Sequence, residues 1–286
     1  MQQGLITTVF LPLALGVIML GLGLSLRIAD FRRVIIYPRA VGIGLGCQML
    51  LLPAVCLGVA HAFALPPELA VGLMLLAASP GGAVANLFSH LARGDVALNI
   101  TLTAVNSALS MITLPLIVGF SLEHFLGASH AIPLQPGKLL TVVAIVLTPA
   151  AIGMVVRARR PELAARLDRP VRIVSAVFLF GVIMSAVIAE RANIRSFVVQ
   201  VGPAALAFNL ASLGTGYFVP RLARIERRQA IAIGMEIGIH NGTLAIAIAS
   251  SPVLLNNPTM AIPPAIYSLI MFVTAGMFGW FVSRRT

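Results

Sequence analysis

The stretch EIGIHNGTLA, residues 236–245, places polar groups inside one of the most apolar parts of the chain. It follows the run Ala-Ile-Ala-Ile-Gly-Met and precedes Ile-Ala-Ile-Ala-Ser. Within it stand a carboxylate at Glu236, an imidazole at His240 and an amide at Asn241, together with two glycines. A charged side chain in such surroundings needs either a partner or a function, and the rest of the sequence indicates which.

The composition is that of a membrane protein. Hydrophobic residues make up 59% of the 286 residues, charged residues only 10%, and the mean hydropathy is +0.99. A soluble domain of this size would have about a quarter of its residues charged. The net charge of +11 does not indicate nucleic-acid binding, because the basic residues form short clusters between apolar runs with no interleaved aromatic residues. We therefore expect an integral membrane protein with no nucleic-acid partner.

Nine apolar windows of spanning length predict an all-α polytopic fold with nine transmembrane helices. The windows lie at about 4–28, 39–63, 67–92, 95–121, 134–158, 169–191, 196–222, 228–250 and 258–282. Of the 20 Lys and Arg residues, only Lys138, Arg191 and Arg195 fall on one side of this arrangement, which leaves 17 on the other. The positive-inside rule then predicts an outer N-terminus and a cytoplasmic C-terminus, in the cell membrane (the inner membrane) of a bacterium.

Two of the predicted helices are interrupted near their middles. The third window contains Ser79-Pro-Gly-Gly82, and the eighth contains Gly238 and His240-Asn-Gly242. Proline removes a backbone donor and glycine weakens a helix, and such breaks are tolerated in a membrane only when they are buried in protein or line a cavity. The two windows are five apart, so they cross in opposite directions. If windows 1–4 correspond to windows 6–9, the two interrupted helices are equivalent members of an inverted repeat. Paired interrupted helices in corresponding positions are typical of the central binding site of a transporter.

The carboxylate of Glu236 is best explained by a bound cation. A carboxylate at the centre of a membrane helix costs about 2.5–3.5 kcal/mol, and no Arg or Lys stands near the middle of any window. His240 is four residues later on the same helical face, which allows contact with Glu236, but a neutral imidazole does not compensate a charge. Oxygen atoms that suit a hard cation such as sodium are supplied by Asn86, Asn99 and Thr103, the last two at i and i+4 on one face.

Three segments resemble the bile acid:sodium symporter family. They are SPGGAVAN at 79–86, LARGDVAL at 91–98 and EIGIHN at 236–241, and IMLGLGLSL at 18–26 is similar more loosely. The resemblance covers essentially the whole chain and implies a bacterial member with nine spans. It implies one transporter unit over 1–286, in which a panel domain of spans about 4–28, 134–158 and 169–191 faces a core formed by the remaining spans within about 39–121 and 196–282.

The resemblance also implies site residues. One sodium site is expected to contain Asn86, Asn99, Thr103 and Glu236, and a second Gln48, Glu236, His240 and the backbone carbonyls of Ile237 and Ile239. Substrate contacts are expected at Gly82, Ala83, Asn209, Asn241 and Gly242. Asn209 also fits a helix–helix hydrogen bond, which is the usual role of a lone membrane amide. The family usually has glutamine where this chain has His240.

The sequence therefore predicts a sodium-coupled symporter that imports an organic anion by alternating access, the anion being a small carboxylate or a bile-acid-like compound. We expect a monomer or weak oligomer in the lipid bilayer, no cofactor, sodium as the coupling ion, and no enzymatic activity. One alternative is a proton-coupled or exporting relative in which His240 titrates. An intramembrane hydrolase is disfavoured, because neither H-E-x-x-H nor G-x-S-x-G occurs in the sequence.

Overall fold

A computed structural model describes residues 11–127, 136–167, 169–171, 173–174, 177, 181, 194–251 and 254–284. Within these residues the chain is helical, with one isolated β-bridge and no β-strand, so the predicted all-α class is confirmed. Four described helices are long and apolar enough to cross a membrane, namely Pro38–Ala62, Val96–Leu126, Arg195–Leu222 and Pro258–Ser283. The count of nine stays a prediction, because the window at about 169–191 lies mostly outside the described residues.

Helix boundaries follow local signals in the sequence. Asp95 caps one long helix by accepting a hydrogen bond from the backbone N–H of Leu98 at 3.1 Å, and Pro67 stands at the first position of another. The helices are α1 Leu11–Ser25, α2 Ile28–Arg32, α3 Pro38–Gly46, α4 Leu52–Ala62, α5 Pro67–Ala78, α6 Ala83–Leu91, α7 Val96–Leu126, α8 Pro136–Arg159, α9 Ile194–Leu222, α10 Arg227–Gly238, α11 Gly242–Ser250 and α12 Ile262–Ser283.

A π-helical turn, Cys47–Leu51, joins α3 to α4 without a break. The backbone N–H of Leu52 donates to the carbonyl of Cys47, five residues back. Pro53 follows directly, and its ring would crowd the carbonyl four residues earlier in a regular α-helix, so a wider turn at this point relieves the conflict. The turn carries Gln48, which is only 3% exposed, and turns of this kind are frequent at functional sites.

Helix α1 packs chiefly against α8, through glycines on both helices. A Cβ atom on Gly23 would overlap the backbone of Ala150, and one on Gly153 would lie 2.5 Å from the carbonyl oxygen of Leu20. Small residues of this kind let two backbones approach closely, which is a common basis of helix association in membranes.

The remaining long helices pack on one another around two helices that are buried almost throughout. Every residue from Leu69 to Ala78 on α5 is buried, and so is every residue from Ala230 to Gly238 on α10. Helix α5 contacts α7 and α12, and α10 contacts α7 and α9. Both helices end deep inside the protein, where the functional residues predicted from the sequence are found.

Candidate functional site

Two extended segments meet at the ends of α5 and α10. After Ala78 the chain is extended at Ser79, the residue before a proline, which disfavours helical geometry there. Gly81 forms an antiparallel bridge with His240, and the backbone N–H of Asn241 donates to the carbonyl of Pro80 at 2.8 Å. Backbone groups that the helix ends leave free thus bond to the other segment, and α6 and α11 begin immediately afterwards.

Glu236 lies at this meeting point and is fully buried. Its Oε2 accepts a hydrogen bond from the hydroxyl of Thr103 at 2.6 Å, and its Oε1 accepts one from the amide of Asn106 at 3.2 Å. Within the described part of the chain no basic side chain pairs with Glu236, so its partners are neutral donors.

Two buried amide side chains bond the backbone of α10 and the end of α5. The side-chain nitrogen of Asn99 donates to the carbonyl of Ala232 at 2.7 Å, and that of Gln48 donates to the carbonyls of Ala77 and Ser79 at 3.2 and 3.1 Å. Because a carbonyl can only accept, these contacts fix which end of each amide is nitrogen and leave the oxygen free. Four buried amide oxygens have no hydrogen-bond partner, those of Gln48, Asn86, Asn99 and Asn106.

The free oxygens match the chemistry of a hard cation. Asn99, Thr103 and Asn106 stand at i, i+4 and i+7 on α7 and share one face, and two of them bond Glu236. Carboxylate and amide oxygens are the ligands that hard cations take in proteins, whereas a buried oxygen left unsatisfied costs about 1–3 kcal/mol. The residues present therefore fit a hard cation such as sodium.

Among the described residues no hydrogen bond joins His240 to Glu236, although an unbroken helix would place the two side chains on one face. Helix α10 ends at Gly238, so His240 lies in the extended segment and no longer follows the helical face. Its Nδ1 bonds the carbonyl of Ser79 at 3.1 Å and therefore carries the hydrogen, which leaves Nε2 as a buried lone pair without a partner. The ring stacks on Phe208 with centroids 5.8 Å apart and an interplanar angle of 14°.

The last carbonyl of α10 has its hydrogen-bond partners inside the protein. The Gly238 carbonyl, between Ile237 and Ile239, accepts hydrogen bonds from the amide of Asn209 at 3.0 Å and the hydroxyl of Tyr267 at 2.9 Å. The other end of the Asn209 amide accepts from Thr274. Both ends of the Asn209 side chain are thus engaged within the protein, which matches the helix–helix role considered for it from the sequence.

The residues predicted to contact substrate lie around the two extended segments. Gly82 has open space where a side chain would project, whereas a side chain on Gly242 would overlap Ser268 of α12. Asn241 caps α11, its side-chain oxygen accepting from the N–H of Leu244 at 3.0 Å. Ala83 begins α6, and its side chain lies outside the described atoms. The N-termini of α6 and α11, whose free N–H groups favour an anion, therefore both lie at this point.

Sequence reasoning missed Asn106 and the π-helical turn. Asn106 was visible in the sequence as the third member of the i, i+4, i+7 series with Asn99 and Thr103, so helical spacing alone could have found it. Pro53 was the only local signal for the π-helical turn.

Known proteins are similar to this chain over most of its length. The model of the Sodium Bile acid symporter family matches residues 12–197. The protein named uncharacterized sodium-dependent transporter YocS, of Bacillus subtilis, is 27% identical over 277 residues, which are 96% of this chain and 84% of that protein. The probable sodium/metabolite cotransporter BASS1, chloroplastic, of Arabidopsis thaliana is 26% identical over 92% of this chain and 65% of its own length.

A human protein named sodium-dependent organic anion transporter is 25% identical over 245 residues, 85% of this chain and 64% of its own length. The chain thus spans most of the bacterial relative but just under two thirds of these plant and human relatives. Since the family model covers well over half of the residues, the chain belongs to the sodium bile acid symporter family, a family of sodium-dependent transporters and not of enzymes.

Proposed function

We propose that this protein is a sodium-coupled symporter that imports an organic anion by alternating access. The observation that carries the proposal is the fully buried Glu236, whose hydrogen-bond partners are the neutral donors Thr103 and Asn106, the second of which has an amide oxygen without a partner. A carboxylate in such a place is stabilised when a cation binds, and sodium is the cation named for the relatives.

The first sodium site is formed by Asn86, Asn99, Thr103 and Glu236, with Asn106 as an additional ligand or positioning residue. Its support is the direct Thr103–Glu236 bond and the free oxygens of Asn99 and Asn106.

The second sodium site is formed by Gln48, Glu236, His240 and the carbonyls of Ile237 and Ile239. Gln48 and His240 both bond the Ser79 carbonyl and so lie on the same side of the interruption.

The two extended segments, 79–82 and 239–241, form a crossing between the helix ends. The organic anion binds on the side of this crossing that faces away from the sodium sites. It lies against Gly82, Ala83, Asn241 and the N-termini of α6 and α11. Open space beside Gly82 and the free N–H groups of two helix starts favour a carboxylate there. Sodium bound at Glu236 orders the extended segments that also form the anion site, which couples the two ligands. A small carboxylate or bile-acid-like compound fits this chemistry, and Asn209 and Gly242 act mainly by fixing the segments.

The architecture that we propose has nine spans, two of them interrupted and crossing, in an inverted repeat. The close pairing of α1 with α8 supports a panel domain built from the spans at about 4–28, 134–158 and 169–191, which moves against the core. The excess of basic residues on one side supports a cytoplasmic C-terminus in a bacterial inner membrane, where the protein acts as a monomer or weak oligomer.

The test is uptake of radiolabelled organic anions into proteoliposomes with and without an inward sodium gradient. We expect uptake only with sodium, and we expect Glu236→Gln to abolish the sodium dependence because it removes the buried charge. The control is Glu68→Gln, at an exposed carboxylate whose hydrogen bond from Asn257 a glutamine retains. Full sodium dependence in Glu236→Gln would contradict the proposal.

A second candidate function is proton coupling, in which His240 takes up the coupling ion. It is favoured by the buried Nε2 atom of His240, an acceptor without a partner. Uptake or export driven by a proton gradient in the absence of sodium, and lost in His240→Gln, would support it. Uptake that needs sodium and ignores the proton gradient would exclude it.

A further inference from the structure

An apolar groove with a volume of about 1630 Å³ lies between α9 and α12. Its walls carry exposed apolar side chains that recur at helical spacing on one face of each helix. They include Leu206, Leu210 and Phe218 on α9, and Leu269, Val273, Met277 and Phe281 on α12. The groove therefore offers a long apolar surface on the outside of the helix bundle.

The groove has the length of one leaflet of a bilayer. Residues 269–281 rise by about 18 Å along α12, and half of the hydrocarbon core of a bilayer is roughly 15 Å thick. On the predicted orientation the windows at about 196–222 and 258–282 both end on the cytoplasmic face, so the groove lies along the cytoplasmic leaflet. A lipid acyl chain of that leaflet fits into it lengthwise.

Two arginines stand at the cytoplasmic end of the groove. Arg227, the first residue of α10, lines the groove and donates a hydrogen bond to the carbonyl of Val282. Arg284 follows α12, and its guanidinium carbon lies 3.7 Å from the centroid of the Trp280 ring, which also lines the groove. Tryptophan favours the membrane interface, and guanidinium groups bind phosphate oxygens strongly. Positive charge thus lies at the depth where lipid phosphates are found.

We propose that this groove binds an anionic phospholipid of the cytoplasmic leaflet, with an acyl chain between α9 and α12 and the phosphate at Arg227 and Arg284. Charge favours a lipid over a second copy of the chain. In a two-fold dimer with its axis along the membrane normal, the same residues meet at the same depth, so these arginines would face their own copies. An anionic headgroup instead offsets part of the net charge of +11.

A lipid in this groove contacts the helices that hold α10 at both of its ends. Asn209 on α9 and Tyr267 on α12 both donate to the carbonyl of Gly238, where α10 ends. Arg227 is the residue at which α10 begins. A bound lipid therefore stabilises the helix that carries Glu236, whichever ion drives transport.

The experiment uses the fluorescence of Trp280, which is the single tryptophan of the chain and therefore reports on this groove alone. The full chain is reconstituted in phosphatidylcholine vesicles that contain increasing fractions of either brominated phosphatidylglycerol or brominated phosphatidylcholine, since bromine quenches tryptophan on contact. We expect brominated phosphatidylglycerol to quench at a lower mole fraction, and Arg284→Gln to reduce that preference about fivefold, the factor that corresponds to one arginine near an anionic lipid surface.

A second variant tests the acyl-chain part of the groove without changing charge. Gly214 lines the groove, and a Cβ atom there would have its nearest neighbour at 3.9 Å, so Gly214→Leu fits the fold while filling the groove. It should weaken quenching by brominated phosphatidylglycerol. Inorganic phosphate added to the vesicles should not reverse the quenching, because the acyl chain holds the lipid in place.

Arg159→Gln is the matched control, because Arg159 is an exposed arginine in the last turn of α8, predicted on the same face and outside the groove. It should keep the wild-type preference. The proposal is overturned if both brominated lipids quench the wild type equally, if Arg227→Gln/Arg284→Gln keeps the preference, if Arg159→Gln removes it, or if inorganic phosphate reverses the quenching. Protection of Trp280 from both lipids would overturn it too, since a protein partner or second copy would then cover the groove. Unfolding temperatures of the variants in detergent, equal to that of the wild type, show that they are folded.

Discussion

Replacing Gly81 by alanine should displace the buried carboxylate. A Cβ atom at Gly81 would lie 2.5 Å from the Cδ and Oε1 atoms of Glu236 and 2.6 Å from its Oε2. These distances are about 0.9 Å shorter than an ordinary van der Waals contact. The backbone of Gly81 is not in the left-handed region, so the effect of the substitution is steric.

The displacement is large enough to disable an ion site. Moving the carboxylate by about 0.9 Å lengthens its 2.6 Å bond from Thr103 by up to that amount, which reaches the limit of a hydrogen bond. Metal–ligand distances tolerate changes of only about 0.2 Å. Since loss of a residue that positions a ligand weakens metal binding about 10–100-fold, we expect the sodium concentration for half-maximal stabilisation to rise by roughly that factor.

The assay is thermal unfolding of purified protein titrated with NaCl against choline chloride at constant ionic strength, without substrate. Gly82→Ala is the control, because a Cβ atom there meets no atom within 4 Å. It should show the sodium dependence of the wild type. The reasoning is refuted if Gly81→Ala retains that dependence, or if the two variants lose it equally.

Three further predictions concern neighbouring contacts. Asn106→Ala should weaken sodium stabilisation about 10–100-fold in the same assay, because it removes a donor to Glu236 and a free oxygen; an unchanged titration would show that the amide has no part in the ion site. Gly153→Ala should lower the free energy of unfolding by about 1–3 kcal/mol, because its methyl group would overlap α1. Gly42→Ala is the control and should not lower it, because a Cβ atom there meets open space. Equal denaturation curves for the two variants would contradict the close packing of α1 against α8. Asn209→Ala should lower thermal stability with little change in the KM for uptake, because both ends of this amide bond other parts of the protein. An unchanged thermal stability together with a raised KM would show instead that Asn209 contacts the substrate.

Much of the site follows from the sequence, because burial of a charge is expensive and helical spacing is regular. The cost of a carboxylate in an apolar helix drew attention to Glu236, and the i, i+4 spacing placed Asn99 and Thr103 on a common face. Both arguments hold where the helix is continuous, as α7 is over its 31 residues.

The same spacing argument fails at His240, because the helix that carries Glu236 ends two residues before it. Local signals, Gly238 and the His-Asn-Gly run, predicted a break, but they do not say where the chain goes afterwards. That path is set by the partner segment, whose Pro80 and Ser79 carbonyls bond Asn241 and His240. The π-helical turn around Gln48 likewise depends on how the protein resolves a local conflict at Pro53.

The adjacent glycines at 81 and 82 give the crossing two different faces. In an extended chain successive side-chain positions point to opposite sides, so Gly81 is pressed against the carboxylate of Glu236 while Gly82 looks into open space. If sodium and the anion occupy those two sides, the partition between them is a single peptide thick. A small shift of this peptide widens the space on the sodium side as it narrows the space on the anion side, or the reverse. Binding of one ligand can therefore affect binding of the other through the main chain itself, without a series of intervening side chains.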